Sequence, residues 1–308
     1  MTQRNKANLA LLGVAMVWGS SFVLSKDALN HLETFNFLAL RFILSGLICC
    51  IVFYRNMLTL TKRTFFHGVI IGTVLFMAYG LWAYGLNYTS ASKSGFIIGF
   101  AVVIVPMLSA LILKKVPPPA SIAGALMAVV GLAMLSLDGG SSLQKGDLLT
   151  LAAAFMFALH IITIGQFTLT ADSTALAVVQ ISVVGILSLP VTLIWETPVI
   201  PRGTQVWFNL MLLIVLCTAV AYIVMNHMQK HTSPTHTALI FTTEPVFAAF
   251  FAYLLLGEIL SSRAVAGCLL ILSGMVVSEL KWKKIFRSTK QPNPDSVLSS
   301  TSNASIRN

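Results

Sequence analysis

The chain has 308 residues, 56% hydrophobic and 10% charged, with 20 basic against 10 acidic side chains and a formal net charge of +10. A water-soluble domain carries about 25% charged residues, and so apolar a chain holds more non-polar surface than one aqueous core can hide. A soluble enzyme, a disulfide scaffold and a disordered chain are therefore excluded, and lipid is the expected solvent for most of the sequence.

In chain order, apolar runs fall near 8–25, 35–54, 66–86, 94–113, 119–137, 148–167, 174–194, 207–228, 235–256 and 264–281. Each approaches the roughly 20 residues of a spanning helix and is bounded by polar, Pro or Gly punctuation. Lipid gives backbone groups no hydrogen bonds, so each run is a helix or a closed-barrel strand. The runs are continuous and lack the strict alternation of ~10-residue barrel strands, which selects helices. The first run has no small-residue cleavage site after it and reads as a retained helix. Residues 282–308 open with Trp282, Lys283 and Lys284 and turn Ser/Asn/Pro-rich; they are expected to form a disordered cytoplasmic tail. Cys49, Cys50, Cys217 and Cys268 all lie inside apolar runs. They read as small buried hydrophobes, not as a disulfide or metal set, and no cofactor or metal is expected.

In a soluble protein the positive charge would suggest nucleic acid. Here it sits in connections and in the tail, where it sets orientation. With the N-terminus in the cytoplasm, that side holds Arg4, Lys6, Arg55, Lys62, Arg63, Lys114, Lys115, Lys230, Lys281, Lys283, Lys284, Arg287, Lys290 and Arg307. The other side, counting Arg41 with it, holds Lys26, Arg41, Lys93, Lys145, Arg202 and Arg263. Both termini are expected inside, with an even number of spans and no nucleic-acid partner.

The chain also repeats. A shift of 139 lays Trp18 on Phe157, Arg41 on Gln180 and Gly46 on Gly185; from the third span a shift of 143 lays Tyr79 on Tyr222, Thr89-Ser90 on Thr232-Ser233, Gly124 on Gly267 and Gly131 on Gly274. Each half holds five runs, an odd number, so two similar halves must lie in the membrane with opposite topology. The expected fold is all-α and integral to the membrane: ten transmembrane helices as two inverted five-helix repeats, over 8–137 and 147–281. Inverted repeats supply two related conformations, one open to each side, with a site between the halves near mid-membrane. Duplication that merely built a stable bundle is the plainer alternative.

These residues resemble the drug/metabolite transporter superfamily in its EamA-type ten-helix branch. The likeness rests on Trp18-Gly19-Ser20-Ser21-Phe22, on Arg41-Phe42, on Thr89-Ser90-Ala91 leading into Ser94-Gly95-Phe96, and on Glu244-Pro245-Val246-Phe247 running on to Leu255-Leu256-Gly257-Glu258. It implies a plasma-membrane carrier with a central cavity between two four-helix clusters. The fifth helix of each half would be peripheral or at a homodimer contact. Family substrates are small metabolites, including amino acids and their derivatives, and many members look like exporters. The first half has Lys114-Lys115 where the second has Gly257-Glu258, so nothing is carried over to those two positions.

Several side chains could hold a solute. Arg41 lies about six residues inside its span, roughly 9 Å deep at 1.5 Å per residue. A cation there costs at least about 2.5–3.5 kcal/mol unless paired or hydrated, so it either faces the cavity or snorkels to headgroups. Its repeat mate Gln180 is also polar, which favours the cavity for both. Glu244 is near mid-depth and precedes Pro245, whose ring and missing N–H loosen the helix a turn back. It is either a proton-exchanging site group or a structural carboxyl locking the kink. His160, also near mid-depth, is a proton carrier or a helix–helix hydrogen bond. Trp18 could wall the cavity, and the mates Tyr79 and Tyr222 could bond a solute. Trp82 and Tyr84 read as an interfacial aromatic belt. Asn226 and His227 read as interfacial, and His231 and His236 as solvated helix-end residues.

No GxxxxGK[ST] loop occurs, so nucleotide hydrolysis does not drive the chain. The leading expectation is a secondary transporter of small organic metabolites working by alternating access, not an enzyme. A passive facilitator or channel is the alternative, and an intramembrane enzyme the remotest one, since neither GxSxG nor HExxH is present.

Overall fold

The computed structural model describes residues 3–89, 91–114, 117–136, 144–256 and 261–279. They form helices α1 (Gln3–Leu29), α2 (Thr34–Val52), α3 (Tyr54–Leu58), α4 (Lys62–Leu86), α5 (Ala91–Gly99), α6 (Ala101–Leu113), α7 (Pro119–Ser136), α8 (Lys145–Phe167), α9 (Ser173–Trp195), α10 (Thr204–Ile214), α11 (Ala221–Gln229), α12 (Pro234–Phe241), α13 (Glu244–Leu256) and α14 (Ser262–Glu279). A π-helical turn, Val215–Val220, joins α10 to α11. No strand occurs among the described residues. Seven stretches are long and apolar enough to cross a membrane: α1, α2, α4, Ser94–Leu113, α8, α9 and Thr204–Gln229. Two shorter apolar helices, Pro119–Met134 and Ser262–Ser278, accompany them. The tail 282–308, Ser90, Lys115 and Gly257-Glu258, on which expectations fell, lie outside the described residues.

Helix ends leave backbone groups that need partners, and short-range side chains supply them at several starts. Thr61 accepts from the Thr64 N–H at 3.1 Å, Asp172 from Ala175 at 2.7 Å, and Ser233 from His236 at 3.2 Å, with Pro234 in the first turn where its missing N–H does no harm. The start of α2 is served from far away. Glu196, just past α9, accepts the N–H groups of Phe35 (2.9 Å) and Asn36 (2.7 Å), placing a carboxylate on the positive end of the helix. At the opposite end of this crossing pair, Asn56 donates to Asp172, the N-cap of α9, at 3.3 Å. Lys26 does the converse job for α4, donating to the Leu86 carbonyl at 2.6 Å.

Small residues set the packing. A Cβ on Gly46 of α2 would meet Ser182 of α9, while one on Gly185 of α9 would meet the backbone of Ile43 on α2. The α7–α14 pair behaves alike: Gly124 abuts the Gly274 carbonyl, and Gly131 the Gly267 carbonyl. Both contacts are reciprocal under the sequence shifts. Position i of one half meets j of the other, and j meets i, as across an isologous interface.

Three findings differ from the sequence expectations. The runs at 94–113 and 235–256 were expected to be continuous helices. One breaks at Phe100, between α5 and α6, and the other at Thr242–Thr243, between α12 and α13. These positions coincide under the shift of 143. The second break falls a turn before Pro245, as the loosening argument requires, and the Thr242 and Thr243 hydroxyls donate to the Leu239 (2.6 Å) and Ile240 (2.7 Å) carbonyls. Second, the run at 207–228 contains the π turn. Third, residues assigned to interfaces are buried. Asn226 is 0% exposed and bonds the Tyr222 carbonyl at 2.8 Å, His236 is buried in the first turn of α12, and Trp82 points inward. Depth along a helix does not fix which way its residues face. Cys49 and Cys217 are buried free thiols.

Candidate functional site

The two helix breaks border one central cavity. Gly99 and Ala101 come from the first, Thr242, Glu244 and Pro245 from the second. Trp18 and Phe22 of α1, Tyr79 and Trp82 of α4, Phe157 and His160 of α8, and Tyr222 and Met225 of α11 complete most of the wall. Its volume of about 80 Å³ holds about six waters, well below the ~300–1,000 Å³ of a ligand pocket. In this conformation the walls leave no room for a drug-sized molecule. Close α1–α13 contact contributes: a Cβ on Gly19 would lie 2.7 Å from the Glu244 carbonyl oxygen.

Aromatic rings meet at tilted or edge-on angles around the space. Trp18 lies 5.3 Å from Tyr222 and 5.0 Å from Phe241, Phe22 stands on Trp82 at 5.7 Å, and Tyr79 contacts Phe157 at 5.4 Å between centroids. The Tyr222 hydroxyl donates to that of Tyr79 at 3.0 Å, both rings being buried. These repeat mates thus meet each other at the centre of the molecule. His160 stands edge-on to Tyr222 at 5.9 Å, and its Nε2 is 2.8 Å from Oε1 of Gln180. An amide oxygen only accepts, so with this amide orientation His160 carries its proton on Nε2. Glu244 is half-buried and contributes a carboxyl to the wall.

Arg41 is not on that wall. It is 0% exposed, and its guanidinium lies behind Tyr79, 5.2 Å from the ring centroid, and beside Phe42 at 5.5 Å. Nε donates to Thr218 Oγ1 at 2.8 Å and Nη2 to the Cys217 carbonyl at 3.5 Å. Both partners belong to the π turn. An extra residue per turn withdraws carbonyls from the ordinary i→i−4 ladder, and several find side chains here. Trp18 Nε1 donates to the Cys217 carbonyl at 2.8 Å, and Ser45 Oγ to that of Ile214 at 2.9 Å. A cation expected to face the cavity is thus held by the Thr218 hydroxyl, one backbone carbonyl and ring faces, with its buried Nη1 left without a hydrogen-bond partner. Gln180, its repeat mate, likewise stays one layer back, behind His160.

Of the seven candidate residues, Trp18, Tyr79, His160, Tyr222 and Glu244 reach the cavity, whereas Arg41 and Gln180 support those that do. Sequence reasoning missed Phe22, Trp82, Phe157, Met225 and Phe241. Their alignment with an inward stripe was the available signal, and it is weak where every face is apolar. Among the described residues no group of three His, Cys, Asp or Glu is placed to hold a metal.

Residues 5–137 and 144–279 each match the model of the EamA-like transporter family. A protein of Archaeoglobus fulgidus named as an uncharacterized transporter is 33% identical over 279 residues, covering 91% of this chain and 87% of its own. An S-adenosylmethionine/S-adenosylhomocysteine transporter of Chlamydia muridarum is 24% identical, with 79% and 82% covered. A probable amino-acid metabolite efflux pump of Salmonella typhimurium is 25% identical, with 89% and 95% covered. One crystal structure shares the fold with a TM-score of 0.77 at 19% identity, over 91% of this chain and 99% of that one.

Proposed function

We propose that this chain, which belongs to the EamA-like transporter family, is a secondary transporter that carries small organic metabolites across the plasma membrane by alternating access, outward in the physiological direction. That it is a multi-pass membrane transporter follows from the family and the seven long apolar helices. The finer reading is ten spans in two inverted five-helix repeats, 8–137 and 147–281, with both termini and the tail in the cytoplasm. One observation carries it. A cavity forms where two helices at repeat-equivalent positions break, and broken helices in matching halves mark the substrate site of inverted-repeat carriers. The reciprocal glycine contacts and the Tyr79–Tyr222 bond, which set repeat mates against each other, support the same symmetry.

In this reading Trp18, Tyr79, His160, Tyr222 and Glu244 contact the solute, while Arg41 and Gln180 hold Tyr79 and His160 in place. Names of relatives point to amino-acid metabolites or S-adenosyl compounds, and amino acids or related small molecules are the proposed substrate class. Glu244 and His160 share the cavity and can each exchange a proton, so a proton gradient is the proposed energy source. The test is counterflow in liposomes holding the purified protein. Preloaded unlabelled solute should accelerate entry of labelled solute, saturably and without ATP, and a pH gradient should bias the flux. Non-saturable flux would indicate a channel. A bias unchanged in Glu244→Gln and His160→Ala would remove these groups from coupling.

A further inference from the structure

We infer that α4 presents a carboxylate subsite to the central cavity, built from the Tyr79 hydroxyl and the Trp82 indole N–H, and that it orients an α-amino acid with its carboxylate on α4 and its ammonium toward His160 and Glu244. This rests on the transporter reading and deepens it from a substrate class to an orientation and the pair of residues that sets it.

Tyr79 and Trp82 stand one turn apart on α4, line the cavity and meet edge-on with ring centroids 5.7 Å apart. Both are more than nine-tenths buried, at 6% and 4% exposed. Each holds a donor that the fold leaves uncommitted. The Tyr79 oxygen accepts from Tyr222 at 3.0 Å, so its own hydrogen is left to give, and none of the described residues takes it. The indoles of Trp18 and Trp207 donate to the carbonyls of Cys217 and Pro201. That of Trp82 has no acceptor among the described residues and belongs to the cavity wall. Two neighbouring donors call for a group with several lone pairs, and a carboxylate serves both.

The charge behind them has the matching sign. Arg41 lies 5.2 Å from the centroid of the Tyr79 ring, its partners Thr218 and the Cys217 carbonyl are neutral, and its Nη1 has none. A buried cation without a counter-charge is costly. A carboxylate on the cavity side of Tyr79 supplies one across the ring, where a low dielectric keeps the attraction strong. The other pole of the cavity accepts. With the His160 proton on Nε2 for Gln180, Nδ1 is a bare acceptor, and a carboxyl such as that of Glu244 keeps an acceptor oxygen whether or not it is protonated. Both residues line the same space, so the orientation does not depend on the charge of Glu244.

A matched series around one apolar body tests this: leucine, leucinamide and 3-methylbutylamine, which is leucine without its carboxylate. Binding is read from the rise in melting temperature of the full chain in detergent as each is titrated at neutral pH. Leucine should bind roughly ten- to a hundredfold more tightly than the amide and the amine, the range for a charge-assisted hydrogen bond. Tyr79→Phe and Trp82→Phe each keep a ring and lose a donor. Each should cut that ratio about tenfold and leave binding of the amine nearly unchanged, whereas a role in packing alone would weaken all the solutes alike. Equal or weaker binding of leucine relative to its amide overturns the inference, as does an unchanged ratio in either folded variant, or no binding by any of the series. Should one variant fail to fold, the other and the wild-type ranking decide. The binding assay is independent of flux, so a leucine preference without counterflow would refute the carrier reading and leave the subsite standing. Counterflow with no preference for the carboxylate would do the opposite.

Discussion

The hydrogen bond between Tyr79 and Tyr222 joins two residues 143 positions apart at the centre of the molecule, and it can be dissected with two conservative changes. Tyr79→Phe removes the acceptor and leaves the buried Tyr222 hydroxyl without its partner; Tyr222→Phe removes the donor. Both rings remain, so the Arg41–Tyr79 and Trp18–Tyr222 ring contacts persist and the hydroxyls are isolated as the variable. In a soluble core an orphaned hydroxyl costs about 1–3 kcal/mol. Membrane-embedded pairs measured by cycles average about 0.6 kcal/mol and reach about 1.7. The lower range applies, because the cavity gives a stranded hydroxyl access to water. Each single change should therefore cost about 0.6–1.7 kcal/mol, or roughly 1–7 °C of melting temperature at ~2–4 °C per kcal/mol. The double change, which removes both polar groups, should cost little more than either alone. Unfolding in mixed detergent micelles measures all four proteins. Single effects that simply add, within the ~0.3–0.5 kcal/mol of independent sites, would mean that the two hydroxyls do not meet, and the central symmetry contact would fall.

Two further outcomes follow from packing and topology. Gly131→Ala would put a methyl 2.6 Å from the Gly267 carbonyl oxygen and 3.0 Å from the Ile271 nitrogen, whereas Gly13→Ala meets nothing within 4 Å. The first should lose about 1–3 kcal/mol and the second should be neutral or gain about 0.5–1 kcal/mol from helix propensity; equal effects in the same unfolding assay would contradict the α7–α14 contact. Cysteines placed at Thr59 and Val199, both exposed, should react with an impermeant maleimide from opposite faces of the membrane, Val199→Cys from outside and Thr59→Cys after lysis. Labelling from one common face would exclude the inverted arrangement.

Much of the architecture is legible from elementary arithmetic, because a lipid solvent forces every apolar run into one kind of element. Helix locations come from counting residues. What counting cannot give is rotation about each helix axis and the identity of distant partners. Trp82 sits at a depth where an interfacial belt is the ordinary reading, yet its helix is rotated to aim the indole at the cavity. Arg41 needed a partner, and its partners are Thr218 and a carbonyl of the π turn, 176–177 positions along the chain. No local pattern in Val215–Val220 announces that turn. The break at Phe100 was equally silent, since no proline or polarity change marks it, whereas its counterpart at Thr242–Thr243 was foreshadowed by Pro245.

The crossing of α2 with α9 constrains how the molecule can move. The pair is pressed together at Gly46 and Gly185 with backbone against side chain and no compliant layer between, and it is lashed at one end by Glu196 over the start of α2 and at the other by Asn56 on Asp172. A joint fastened at its middle and both extremities behaves as a keel. In the alternating access proposed above, the rocking that exposes the cavity to either face of the bilayer would belong to the elements hung around the keel, chiefly the interrupted helices α5–α6 and α12–α13, while the keel itself stayed unaltered.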